Sequence, residues 1–80
     1  MQRRTFSVLL ENKPGILARV TAVLTRRGFI VDTLTVAPTE NPDVSLMTIV
    51  VKVDDSRHEQ VSKQLNRLVN VLEIVELEAS

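Results

Sequence analysis

The stretch VSLMTIVVKV, residues 44–53, predicts the central strand of the fold. Side chains alternate between the two faces of a strand, so four apolar residues of this segment share one face: Met47, Ile49, Val51 and Val53. Leu46 and Val50 make the other face partly apolar as well. A segment that is apolar on both faces is typical of a strand with neighbours on either side.

The residues upstream of this strand predict a strand, a helix and a second strand. Residues 4–10 alternate with the period of a strand, and the turn-forming run that follows places Pro14 in the first turn of a helix. Helical periodicity then runs over residues 16–27, with Gly28 in the position that commonly ends a helix. Residues 29–36 are β-branched and aromatic, and a polar loop over residues 37–43 leads back to the central strand.

The downstream residues predict a second helix and a fourth strand. Ser56 and Glu59 have the spacing of a capping box, and a buried helical stripe of Val61, Leu65 and Leu68 follows. Residues 71–77 predict the last strand. The order βαββαβ is that of a ferredoxin-like α+β fold, a four-stranded antiparallel sheet with two helices on one face. We expect a single domain over residues 1–80.

Composition excludes several classes of function. Ten basic and ten acidic residues give a formal net charge of zero, which disfavours binding to nucleic acid or to an anionic membrane. The chain has no cysteine, and hence no disulfide, thiolate metal site or cysteine nucleophile. No apolar run is long enough to span a membrane or to act as a signal peptide. We therefore expect a cytoplasmic protein.

Few residues are candidates for catalysis, metal binding or ligand binding. His58 is the only histidine and is expected to face solvent, and Glu73 and Glu76 should be solvated charges on opposite faces of the last strand. Neither a metal site nor catalysis is predicted. The junction around Asn12 and Gly15 is more distinctive, since free N–H groups at a helix start attract a carboxylate. Asn12 could equally cap the helix, with Pro14 and Gly15 forming only a turn, and the residues alone leave both interpretations open.

Four segments together resemble one family: LLENKPGIL (9–17), VTAVLTRRGF (20–29), LTVAPTENPDVS (34–45) and MTIVV (47–51). They look like the ACT domain of the small, regulatory subunit of acetohydroxyacid synthase, also called acetolactate synthase. The resemblance implies a module without catalytic activity that activates a catalytic subunit and confers feedback inhibition by valine, sometimes by leucine or isoleucine. Thiamine diphosphate, Mg and FAD would belong to that catalytic partner, and this chain would need no cofactor. Long-form small subunits add a second domain, which residues 1–80 do not include.

The resemblance also implies a homodimer that forms through the edge of the second strand and the first helix. Effector-binding residues carried over by motif position lie in the first loop, with one more on the second strand: Asn12, Gly15, Ile16, Leu17 and Ile30. Two positions depart from the family pattern, since Ile30 stands where asparagine is usual and Leu46 where arginine is frequent. The alternative is therefore a ligand-free dimerisation domain, natural or engineered, in which Ile30 has disabled effector binding.

Overall fold

A computed structural model describes residues 2–77 as a sheet covered by helices on one face. The strand order is β2-β3-β1-β4, and the paired strands are antiparallel. This confirms the predicted ferredoxin-like arrangement. The elements, in chain order, are β1 (Gln2–Glu11), α1 (Ile16–Arg26), β2 (Ile30–Pro38), β3 (Val44–Val53), a 3-10 turn (Asp55–Arg57), α2 (His58–Leu65) and β4 (Val71–Leu77).

The strand β3 occupies the centre of the sheet, as predicted, and pairs with β1 on one side and β2 on the other. Ile49 lies opposite Phe6 of β1 and Leu34 of β2. The alternating apolar positions of β1 and β3 point to the face that the helices cover. Together with one stripe from each helix they form the fully buried part of the core: Phe6, Val8, Leu10, Met47, Ile49, Val51, Val20, Leu24, Val61 and Leu65.

Glycines with left-handed backbone conformations lie at both ends of α1. Gly28 has φ +81° and donates its N–H to the Thr25 carbonyl at 3.0 Å, which confirms its predicted place after the helix. Gly15 has φ +78° and immediately precedes the first helical residue. The sequence pattern predicts Pro14 in the first turn of the helix. Pro14 instead precedes the helix, so that prediction is wrong.

The predicted capping box is wrong. Ser56 lies inside the 3-10 turn, and neither that turn nor α2 has a side-chain hydrogen bond at its start. Asp54, the residue before the turn, has an extended backbone, and its carbonyl accepts the Arg57 N–H at 2.8 Å. A backbone turn thus starts this segment without help from a side chain. The predicted stripe also outlasts the helix, since Leu68 follows the end of α2 and packs partly buried against the core.

His58 and Glu76 contact each other, contrary to the expectation that both would be solvated. His58 Nδ1 lies 2.9 Å from Glu76 Oε1, and both side chains are partly buried. Arg4 of β1 pairs with the same glutamate at 3.5 Å and also with Asp55. Glu73 and Glu76 do lie on opposite faces of β4, since they pair with Leu9 and with Phe6 of β1. Arg4 of β1 and His58 of α2 are the two partners of Glu76. Within the described range, no helix is long and apolar enough to cross a membrane.

Shortening the side chain at the centre of the sheet should destabilise the fold. Ile49 is completely buried, so Ile49→Ala should lower the free energy of unfolding by about 2–5 kcal/mol, measured by urea denaturation. Ile49→Val removes a single methyl group and should cost about 0.5–1.5 kcal/mol. Equal costs for the two variants would contradict the close packing of β3 described above.

Candidate functional site

A cavity of about 460 Å³ lies where the loop between β1 and α1 meets the distal end of the β2–β3 hairpin. Its wall is mostly apolar, with one charged residue, Lys13, and two polar side chains, Asn12 and Ser45. The lining residues are Leu10, Asn12, Lys13, Pro14, Gly15, Ile16, Leu17, Ala18, Val36 and Ser45. Volume and composition fit a small, largely aliphatic ligand with a charged end.

The first turn of α1 supplies hydrogen-bond donors to this cavity. The N–H groups of Leu17 and Ala18 have no intrahelical acceptor, as at any helix start. They also donate no hydrogen bond to any other group in residues 2–77. Both residues line the cavity. The backbone turns sharply into the helix at Gly15, where φ is +78°. Free N–H groups, the positive end of the helix and Lys13 together favour a carboxylate.

Asn12 braces the cavity wall and does not cap the helix. Its side-chain Nδ2 donates to the Pro42 carbonyl at 2.9 Å, its Oδ1 accepts a hydrogen bond from Ser45 Oγ, and its backbone N–H donates to the Asp43 carbonyl at 2.8 Å. All three partners belong to the β2–β3 connection or the start of β3, so the capping interpretation is wrong. The amide keeps a second N–H and a lone pair, so it could still contact a ligand.

Ile30 does not line this cavity. It begins β2 opposite Lys52, whereas the cavity lies near the other end of the strand, where Val36 pairs with Met47. Ile30 and Val36 are six residue steps apart along β2, a distance of about 20 Å. The structure therefore brings together Asn12, Gly15, Ile16 and Leu17, and it leaves Ile30 apart from them within one chain.

Val36, Leu10 and Ser45 are cavity residues that were not among the predicted site residues. The signal for them lies in the register of β3 with both neighbours, because Val36 pairs with Met47 in the β2–β3 hairpin and Leu10 pairs with Ser45 between β1 and β3. Only the β2–β3 register could have been proposed from the predicted hairpin. The sequence offered no reason, however, to attach the loop after β1 to that end of the hairpin.

The strand β2 forms one edge of the sheet beside the cavity. Two of its large apolar side chains are exposed, Ile30 by 48% and Val36 by 42%. An uncovered edge with exposed apolar residues is a surface on which another strand can pair. The cavity and this edge are adjacent because Val36 belongs to both.

The lining residues of the cavity include few groups that can take part in acid–base chemistry. It has a lysine and an asparagine but no histidine or carboxylate among its lining residues. In the part of the chain that the structure describes, no cluster of three metal-ligating side chains occurs. The groups present, namely free N–H groups, a lysine and aliphatic side chains, are suited to a carboxylate and an aliphatic group.

Comparisons with known proteins agree on one family. The family model described as an AHAS small subunit-like ACT domain matches residues 6–73. The acetolactate synthase small subunit of Mycobacterium avium is 56% identical over 77 residues, which cover 96% of this chain and 46% of that protein. A probable acetolactate synthase small subunit of Archaeoglobus fulgidus is 51% identical over 98% of this chain and 49% of its own length. The chain thus spans less than half the length of these relatives.

A solved structure gives the same result. The crystal structure of the acetolactate synthase small subunit from Thermotoga maritima superposes with a TM-score of 0.89 at 36% identity. That alignment covers 98% of this chain and 48% of the other.

Removing the Asn12 side chain should loosen the cavity wall. Asn12→Ala loses the hydrogen bonds to Pro42 and Ser45 and should lower the free energy of unfolding by about 1 kcal/mol, measured by urea denaturation. Amide hydrogen exchange should become faster in residues 41–45. Asn66→Ala is the control, because Asn66 is exposed and its side chain has no hydrogen bond among the described residues. Similar exchange in both variants would refute the bracing role.

Proposed function

The chain belongs to the AHAS small subunit-like ACT domain family, and from that premise we propose a regulatory module that senses a branched-chain amino acid. Two copies would hold the effector between them and act on the catalytic subunit of acetohydroxyacid synthase. The observation that carries the proposal is the cavity beside the β2 edge, with free helix N–H groups at one side and aliphatic side chains around them.

The chemistry of the cavity fits each part of an aliphatic amino acid. The effector carboxylate would accept hydrogen bonds from the N–H groups of Leu17 and Ala18, with Lys13 adding positive charge. Leu17 and Val36 would contact a branched side chain, and the Asn12 amide would bind the ammonium group through its oxygen. Valine is the first candidate, and leucine and isoleucine are close alternatives.

The proposed dimer pairs the β2 edges of two chains in antiparallel fashion, with the α1 helices adjoining. A two-fold axis near Thr33 would place Ile30 of the partner subunit opposite Val36, beside the cavity. This arrangement explains why Ile30 is about 20 Å from the cavity within its own chain. It would also cover the two large apolar side chains that β2 exposes.

Isoleucine at position 30 should weaken effector binding. The family resemblance leads us to expect asparagine there, and isoleucine offers no hydrogen bond to an amino-acid head group. A buried charged group that lacks one partner loses about 1–3 kcal/mol, equivalent to roughly tenfold or more in affinity. The second candidate function, a dimerisation domain without a ligand, is favoured by the same residue, because an exposed isoleucine adds apolar contact to the interface.

The catalytic chemistry would belong entirely to the partner. Acetohydroxyacid synthase uses thiamine diphosphate with Mg and FAD, and we place all three on the catalytic subunit. This chain would contribute only binding energy, which differs between the effector-bound and effector-free states of the complex.

A charge at the β2 edge should disrupt the dimer. Val36→Asp would bury an unpaired carboxylate between two copies, so we expect the dimer dissociation constant to rise by about tenfold or more, measured by sedimentation velocity. Val69→Asp is the matched control, because Val69 lies in the turn after α2 with 83% exposure. An unchanged dimer in Val36→Asp would exclude the β2 edge as the interface.

Restoring asparagine should strengthen effector binding. We expect Ile30→Asn to bind valine about tenfold more tightly than the original chain, measured by titration calorimetry. Glycine serves as the control ligand, because it has the same head group without the aliphatic side chain and should bind more weakly to both proteins. Absence of valine binding in both proteins would reject the sensor and leave the dimerisation domain.

A further inference from the structure

A second concave surface lies on the solvent side of the helices. One hollow of about 320 Å³ is lined by Val23, Arg26, Arg27, Gln64 and Arg67. An adjoining hollow of about 430 Å³ is lined by Ala18, Arg19, Ala22, Val23, Arg26 and Leu68. Val23 and Arg26 belong to both, so the two hollows form one continuous surface, which we call the helix groove.

The helix groove has an apolar floor and a basic rim. The apolar lining residues are small or aliphatic, and no carboxylate lines either hollow. The floor consists of Ala18, Ala22, Val23 and Leu68, and the rim of Arg19, Arg26, Arg27 and Arg67.

The rim arginines differ from the basic residues on the sheet. On the sheet, Arg3 and Lys52 both pair with Asp32, and Arg4 pairs with Asp55 and Glu76. None of the rim arginines has an ion pair with any carboxylate in residues 2–77.

The rim arginines do make neutral contacts within the chain. Arg19 donates to the Asn70 side chain at 3.2 Å, and Arg26 donates through Nε to the Ala22 carbonyl at 3.3 Å. Neither contact neutralises a charge. Basic residues on the sheet are therefore paired with carboxylates, whereas the arginines of the groove rim are not. This local excess of positive charge exists although the formal net charge of the chain is zero.

The extent of the groove indicates the kind of ligand. Ala18 and Arg26 are eight residues apart on α1, a distance of about 12 Å along the helix axis. Guanidinium groups spread over this length match several separate carboxylates better than one phosphate, whose oxygens all surround a single phosphorus atom. The apolar floor between them adds a place for aliphatic side chains.

We propose that the helix groove docks an acidic amphipathic segment of the catalytic subunit. Carboxylates of that segment bind the arginine rim, and its aliphatic side chains pack on the floor. The identity of the partner rests on the function proposed above, whereas the acidic and amphipathic character of the segment rests on the groove alone. The groove is distinct from the effector cavity, and the two surfaces share only Ala18.

Charge reversal at the rim tests the docking. The chain and its cognate catalytic subunit are mixed, and the chain concentration for half-maximal stimulation of acetolactate synthesis is measured. Arg67→Glu should raise that concentration by about tenfold. Lys63→Glu is the matched control with the same change of charge, because Lys63 is exposed on α2 outside the groove; it should raise the concentration less than about twofold.

A floor variant separates docking from general electrostatics. Ala22→Gln places a longer polar side chain on the floor without changing the net charge, so it should also weaken stimulation. Circular dichroism of each variant verifies that it is folded. If Arg67→Glu and Lys63→Glu stimulate alike, the helix groove is not the docking surface, and the proposed regulatory function still stands.

A peptide titration separates this inference from the proposed function. If the original chain fails to stimulate the catalytic subunit at all, that function fails, and the groove is then tested by NMR with a twelve-residue amphipathic peptide of glutamate and leucine. Saturable shifts of the methyl signals of Ala18, Ala22 and Val23 would support an acidic amphipathic ligand. Shifts confined to other residues, or none, would overturn the inference.

Discussion

The antiparallel pairing of β1 with β3 is the constraint on which the rest of the structure depends. The register runs from Gln2 opposite Val53 to Glu11 opposite Val44, so β1 ends where β3 begins. The loop that leaves β1 is therefore held against the β2–β3 connection, and Asn12 bonds to both Pro42 and Ser45 there. A slip of one residue would turn the buried face of β1 outward and would also dismantle the cavity.

Local patterns in the sequence were sufficient for most of the fold. Alternation over residues 44–53 identified the central strand with its observed bounds, and Gly28 marked the end of α1 because a positive φ is costly for other residues. Two of the errors concern side chains whose partners are distant in sequence. Asn12 bonds to a residue 30 positions away, and His58 to one 18 positions away. Judged from neighbouring residues alone, Asn12 is best interpreted as a helix cap and His58 as a solvent-facing residue. Their actual hydrogen-bond partners become evident only in the tertiary structure.

The part of the candidate site formed by residues close together in the sequence was predictable. Four of the five predicted residues follow one another through the first loop and the start of α1, so they line one cavity. Val36 and Ile30 depend on how β2 pairs, and the single chain places only Val36 at the cavity. In the proposed dimer, Ile30 would reach the site from a second copy, and intermolecular contacts leave no local pattern in the sequence of one chain.

Ala18 has a small side chain in a place where two surfaces meet. It lines both the cavity beside Asn12 and the helix groove. Anything that moves the first turn of α1 must therefore change the shape of both surfaces. Thermodynamic linkage then requires reciprocity: if an effector changes the affinity for the docked segment by some factor, the segment changes the affinity for the effector by the same factor.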